Sequence, residues 1–216
     1  MTYEKQKVAC VAEERPELSS ILPILMGGNA LWHRTSVKSL KAIIDSGFIQ
    51  PNLGQFEVTY SQSCQCFGRS IGAVCMFDFN SATPEQVLFS ADNWGGFLVD
   101  RGAATVWIRV DRDKLDPNNI VSSEDASALR PTLIPYVEAW YRGPIPKAAF
   151  IAFLVIKRTA IAGHILVPNT ASAMDVIEEI SIAWEAEQES DEAVRHSNGE
   201  FTLAGAVKAS ASSRER

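Results

Sequence analysis

The apolar residues of this chain come in short runs of strand length divided by turn-forming residues, and this pattern constrains the fold more than any other feature. Ile71 to Phe79 (IGAVCMFDF) is apolar at nearly every position, as in a strand buried on both faces. Ala104 to Val110 (ATVWIRV), Leu133 to Tyr141 (LIPYVEAWY, interrupted by Pro135) and Ala149 to Ile156 (AFIAFLVI) repeat the signal, and Ile165 to Val167 adds a last short strand. The longest run, Ala148 to Ile156, falls far below the roughly 20 apolar residues of a membrane span. Few helical segments separate these strands, which favours an α+β sheet over a doubly wound one.

Leu31-Trp32-His33 reads as a short apolar strand. Thr35 and Ser36 can cap a helix whose apolar positions Val37, Leu40, Ile43 and Ile44 follow helical spacing, with Gly47 ending it. Phe48-Ile49 follows as a second short strand closed by Pro51-Asn52. Residues 52–69 are polar and aperiodic, the pattern of a long loop, and loops of that length in compact domains are usually functional or disordered. Residues 80–103 read as loop and short helix with a break at Trp94-Gly95-Gly96, Asp111 to Asn119 as a polar turn, and Gly143-Pro144-Ile145-Pro146 as a forced turn. Past Pro168, Ala173, Ile177, Ile180 and Trp184 recur at helical intervals in an acidic background, which predicts one amphipathic helix over about residues 172–194. The tail from about residue 195 has the composition of a disordered segment.

At 216 residues the chain suits one domain with an appendage. Its net charge of −6 is unevenly placed: residues 1–174 hold 16 basic and 16 acidic residues, and residues 175–216 hold 4 basic and 10 acidic. The acidity therefore belongs to the C-terminal appendage. It does not exclude a nucleic-acid substrate for the rest, and no cluster of about five to eight lysines and arginines argues for one. The first twenty residues carry charge throughout and lack an apolar signal-peptide core. Cys10, Cys64, Cys66 and Cys75 have neither disulfide nor zinc-ribbon spacing, so the expectation is reduced thiols in the cytoplasm and no metal site.

Glu138 is a lone carboxylate in the apolar stretch Leu133 to Tyr141. Burying a charge there is costly without a partner. Either strand alternation turns it to a wet face, or it lies at a cleft floor awaiting a polar ligand or a developing positive charge. His33 follows Leu31-Trp32 and precedes a capped helix. Placed at a strand end, it offers a donor and an acceptor to a ligand, and its competing role is a packed, satisfied core histidine. His164 begins a strand and His196 lies in the tail. Arg69, in a polar loop before a buried strand, and Arg34 each have the forked donors that suit a phosphate; a plain surface arginine is the alternative for Arg69. Trp32, Trp107 and Trp140 sit on predicted strands and are expected in the core.

These residues carry a resemblance. LWHRTSVKSLKAIIDSGFIQP (31–51) is similar to the opening of many bacterial ADP-ribosyltransferases, in which an aromatic–His strand leads into a helix ending near Ser-Gly. IRVDRDKL (108–115) resembles a strand and turn common in that superfamily. VEAWYRGPI (137–145) resembles its late strand, where the catalytic glutamate precedes a turn and another apolar strand. The likeness spans residues 28–168 in the right order and is nearest to the diphtheria-toxin-like group, which includes DNA-modifying toxins of toxin–antitoxin pairs.

The resemblance implies a split mixed or antiparallel sheet and transfer of ADP-ribose from NAD⁺ to a macromolecule, protein or nucleic acid, in bacterial or phage conflict. It implies that His33 binds ribose hydroxyls of NAD⁺ and that Glu138 holds the 2′-hydroxyl of the nicotinamide ribose. Arg34, Thr35, Ser36, Arg69 and Ser70 are then expected around the rest of NAD⁺. The group usually stacks a tyrosine on nicotinamide; Gly68 to Gly72 offers none, so Tyr60 or Phe67 would substitute. Tyr136 stands two residues before Glu138, where arginine-modifying relatives carry an acidic or amide residue, so arginine is a less suitable target. The implied organisation is a leading segment 1–27, a catalytic-type domain 28–168, an acidic helix 169–194 and a tail 195–216. A competing reading is an inactive module of the same fold that binds a protein partner through the acidic helix. A third, a 2′-phosphotransferase acting on RNA, would want several basic phosphate ligands around the His33 strand, and only Arg34 is there.

Overall fold

The structure, a computed structural model, describes residues 18–56, 67–98, 104–127, 134–157 and 163–197. The central strand β1 (Ala30–Ser36) continues without interruption through His33, so His33 stands mid-strand and not at a strand end. Ser36 then turns the chain into helix α2 (Val37–Ser46). Its side-chain oxygen accepts from the Ser39 backbone N–H at 3.1 Å, and Gly47 ends the helix at φ 78°, as the capping pattern predicts.

Strands β3 (Ala73–Phe77), β4 (Ala104–Asp111), β5 (Ile120–Val121), β6 (Glu138–Arg142), β8 (Phe150–Lys157) and β9 (His164–Pro168) join β1 in one sheet of order β5-β6-β3-β1-β4-β8-β9. Every pairing in it is antiparallel. The architecture is α+β, and the mixed pairing allowed by the sequence does not occur among the described strands. The short strands β2 (Phe48–Ile49) and β7 (Ile145–Pro146) form a separate ribbon.

The ladders are unequal. Strand β1 pairs with β4 along its whole length, from Ala30↔Asp111 to Ser36↔Thr105. With β3 it shares a single register pair, Trp32↔Phe77. The sheet is continuous, yet it has a seam between β1 and β3.

One face, carrying Leu31, Met76, Val106 and Phe153, is covered by α2 and by the long C-terminal helix α6 (Ala173–Ser197). In α6 Ala173 and Ile177 are buried in this core, with Ile180 and Trp184 packed against it, so the predicted stripe faces its own domain. Lys41 binds Glu178 at 2.9 Å, and Lys157 pairs with Glu187, fastening the helix from both sides. The other face, carrying Trp32, Phe77 and Trp107, packs under the one-turn helix α1 (Leu22–Leu25) and helix α4 (Pro84–Trp94). The Trp32 indole N–H donates to Leu25 O at 3.0 Å, tying the segment before residue 28 into this core. Trp32, Trp107 and Trp140 are all buried, as expected of core residues.

Two elements differ from the sequence expectation. The segment 52–69, expected as loop, ends in a single helical turn, α3 (Phe67–Ser70), because Phe67 anchors it edge-on against Trp140 at 5.0 Å. Gly68 permits this approach: a Cβ there would lie 2.7 Å from Cys75 Sγ and 2.8 Å from Trp140 Cδ1. Residues 57–66, with Tyr60, Cys64 and Cys66, lie outside the described residues, as does the tail from residue 198. The strand expected over Leu133 to Tyr141 begins only at Glu138, since Pro135 lacks an N–H and the chain turns over Ile134 to Val137. Among the described residues no helix is long and apolar enough to cross a membrane.

Candidate active site

Glu138 is the first residue of β6, and the turn before it sets its position. Its backbone N–H donates to Ile134 O at 3.2 Å, and its Oε2 accepts from the Ile134 backbone N–H at 3.2 Å. Val137 O accepts from the Asp78 backbone N–H at 2.7 Å, joining the turn to the end of β3. Between them Tyr136 adopts φ 70°, the one positive φ outside glycine among the described residues. For an L-residue that conformation costs roughly 1–2 kcal/mol. It is held by the Tyr136 N–H donating to Ser123 Oγ at 2.9 Å, with Ser123 buried at the start of the short helix α5 (Ser123–Ser127).

The register settles which way Glu138 faces. Phe77 pairs with Trp32 on one side and with Glu138 on the other. In-register neighbours point to one face, so Glu138 shares the face of Trp32 and Phe77, both buried. Alternation therefore does not turn the carboxylate to a wet face; it stands half-buried at the head of the strand.

His33 occupies the seam. Where β1 and β3 part, its Nδ1 lies 3.0 Å from Cys75 O. A carbonyl only accepts, so Nδ1 carries the proton and Nε2 is left as an acceptor. Burial lowers the imidazole pKa from 6.5 to about 4; the Cys75 hydrogen bond opposes this and the Arg34 charge adds to it. The ring is therefore neutral at physiological pH, as an acceptor at Nε2 requires. His33 and Glu138, 105 positions apart in sequence, come to within one register row with β3 between them. Alternation gives them opposite faces, and His33 meets β3 in the plane of the sheet.

Arg34 is the residue that shares a face with Glu138. It pairs with Trp107 across the β1–β4 ladder and is two residues from Trp32, which shares the Glu138 row. This face also holds buried polar atoms in need of a partner. Trp107 Nε1, Trp140 Nε1 and Thr105 Oγ1 have no hydrogen-bond partner among the described residues. Such groups are costly when left alone. Arg109, on the same face, is committed to structure: its Nη2 donates to Gly27 O at 2.7 Å, and its guanidinium stacks over Trp32 at 5.8 Å.

The remaining expected ligands are engaged elsewhere or oriented differently. Ser36 caps α2, and Thr35 is buried and alternates to the face of Leu31 and His33. Arg69 and Ser70 sit on α3 and not in a polar loop. Arg69 Nη2 donates to Leu53 O at 3.2 Å and Ser70 Oγ to Phe67 O at 2.7 Å. Tyr60 lies outside the described residues. Asp78, in the same region, accepts from Arg112 at 2.6 Å and from Ser81 Oγ at 2.7 Å, so the IRVDRDKL turn braces the ends of β3 and β4. A cavity of about 20 Å³, room for one water, lies on the opposite face beneath α2 and α6, lined by Leu40, Ile44, Phe153 and Ile177. Among the described residues no group of three or more His, Cys, Asp and Glu could hold a metal ion.

Sequence reasoning missed Ser123 and Phe89 as parts of this region, and it placed Tyr136 two residues before Glu138 without its backbone strain. Tyr136 and the exposed Phe89 of α4 stack edge to face at 5.8 Å beside the Glu138 turn. No glycine or asparagine marks the positive φ in the sequence. No protein-family model matches the chain, and no curated protein shows significant similarity to it.

Proposed function

We propose that this chain is an NAD⁺-dependent ADP-ribosyltransferase that modifies a macromolecular acceptor. The observation that carries the reading is Glu138 itself, half-buried at the head of β6 with its Oε2 held by the Ile134 backbone N–H. A carboxylate fixed and half-buried in this way suits a substrate that becomes cationic as it reacts.

The reaction breaks the bond between the nicotinamide nitrogen and the ribose carbon. The electron pair leaves with nicotinamide, already cationic in NAD⁺ and neutral once released, so no general acid is needed. Positive charge grows on the ribose, as in glycoside cleavage. A fixed Glu138 carboxylate favours that charge over the neutral starting ribose, which is differential stabilisation. The acceptor nucleophile then bonds to the ribose carbon and loses its proton to solvent. His33 holds β1 to β3 through Nδ1, and its Nε2 stays an acceptor for a hydroxyl on its own side of the sheet.

In the alternative reading, an inactive module docking through α6, the contact would have to use the outer side of the helix, because the stripe packs on its own core. A role in bacterial or phage conflict follows from the family resemblance alone. Incubating the protein with NAD⁺ labelled in the adenylate part, with and without cell lysate, tests the proposal. Label entering protein or nucleic acid supports it; the absence of both label transfer and nicotinamide release refutes it.

A further inference from the structure

The turn in front of Glu138 holds a conformation that its own residues disfavour. Tyr136 adopts φ 70°, and the Val137 backbone N–H donates across it to Pro135 O at 2.9 Å. That bond closes a three-residue γ-turn with a positive central φ, the rare and strained form. Around it the Glu138 N–H donates to Ile134 O at 3.2 Å, and the Glu138 carboxylate accepts from the Ile134 N–H, also at 3.2 Å. The direction of the carboxylate therefore depends on the turn staying closed. A tyrosine relaxing to negative φ would change the path between Ile134 and Glu138 and release that contact.

The flanks of the turn are anchored in the core. Ile134 and Val137 are buried, and Val137 O accepts from the Asp78 N–H at 2.7 Å. The tip is held from outside, by the buried Ser123, whose Oγ accepts from the Tyr136 N–H at 2.9 Å. Ser123 is itself fixed. Just before it, β5 pairs with β6 through Val121↔Trp140, so Ser123 and Glu138 hang from one ladder. Ser122 Oγ accepts from the Asp125 N–H at 3.0 Å and donates to the Asp125 carboxylate at 2.8 Å, which sets the start of α5, and Ala126 is fully buried. We propose that Ser123 is a positioning residue for Glu138. It keeps the γ-turn closed and so holds the carboxylate on the Ile134 N–H, as a fixed anion beside the ribose requires. The catalytic consequence rests on the transferase reading; the hold of Ser123 on Glu138 does not.

Ser123→Ala in the full chain, read by NMR and by kinetics, tests this. In the wild type the Ile134 amide proton moves as the pH is lowered and the Glu138 carboxylate bonded to it takes up a proton. In Ser123→Ala that movement is lost while the resonances of the sheet core stay in place, and Ser123→Thr, which keeps the hydroxyl, retains it. Ser123→Ala also lowers kcat for nicotinamide release from NAD⁺ by about tenfold or more with KM little changed, because the carboxylate is misplaced, and Ser123→Thr recovers most of the rate. Loss of stability alone removes neither the Ile134 movement nor kcat in a protein that is still folded. Where Ser123→Ala fails to fold, Ser123→Cys, similar in size and only a weak acceptor, takes its place. An Ile134 proton that stays still in the wild type, one that moves equally in the folded variant, or an unchanged kcat in that variant overturns the proposal. Movement lost in the variant with no nicotinamide release by the wild type keeps the hold of Ser123 on Glu138 and removes the transferase. Release by the wild type with unaltered Ile134 movement in the variant does the reverse.

Discussion

His33 has two duties at the residue scale, and pH separates them. Its pKa of about 4 in the folded chain lies below the ordinary value of 6.5. Between those values the unfolded chain takes up a proton that the folded chain refuses. The stability contributed by neutral His33 is therefore complete above pH 6.5 and falls as pH drops toward 4, by on the order of 2 kcal/mol for a half-buried ring. His33→Asn, whose amide can still donate to Cys75 O, should flatten that part of a melting-temperature-against-pH curve. An identical slope in the variant would count against a buried neutral imidazole. Glu138 and His33 were both legible in the sequence as candidates, because a single carboxylate in an apolar stretch and a histidine expected at the end of an apolar strand each require a reason. Their relative facing was not legible: it depends on β3 lying between β1 and β6, and strand order is a long-range property. Tyr136 was visible only as a departure from a family pattern. Its φ is imposed by Ser123, and Ser123→Ala should free the turn and destabilise the chain by about 1 kcal/mol or more, read by denaturant titration.

At the scale of elements, the C-terminal helix shows what periodicity can and cannot establish. The stripe Ala173, Ile177, Ile180 and Trp184 announced an amphipathic helix, and the observed helix, Ala173–Ser197, begins within a residue of the expectation. Which surface the stripe covers was left between its own domain and a partner, since hydrophobic periodicity does not name the partner. The structure gives its own domain, with Ile177 fully buried. Ile177→Ala should then cost roughly 2–5 kcal/mol, lowering the melting temperature by several degrees without changing the size of the protein in solution. A variant that melts like the wild type but changes its association state would mean that the helix serves a partner. Element boundaries failed where local composition misled: residues 67–70 read as the end of a polar loop until Phe67 found Trp140, and Pro135 delayed a strand that the apolar run seemed to start earlier.

At the scale of the whole molecule, the sequence pattern supported an α+β sheet of short strands, and seven of the described strands form one antiparallel sheet with helices on both faces. The seam between β1 and β3 could not be foreseen, because one matched pair followed by divergence leaves no mark on either strand's composition. That seam gives the account its central claim: Glu138, beside it, is the anion that favours cleavage of NAD⁺. The most direct test compares nicotinamide release by the wild type and by Glu138→Gln, with melting curves for both. Glutamine keeps the side chain's shape and an acceptor oxygen and loses only the charge. The expected result is release by the wild type, a loss of at least about a hundredfold in the variant, and matching melting temperatures. Equal rates in two equally stable proteins, or no release by the wild type even with lysate, would contradict the account.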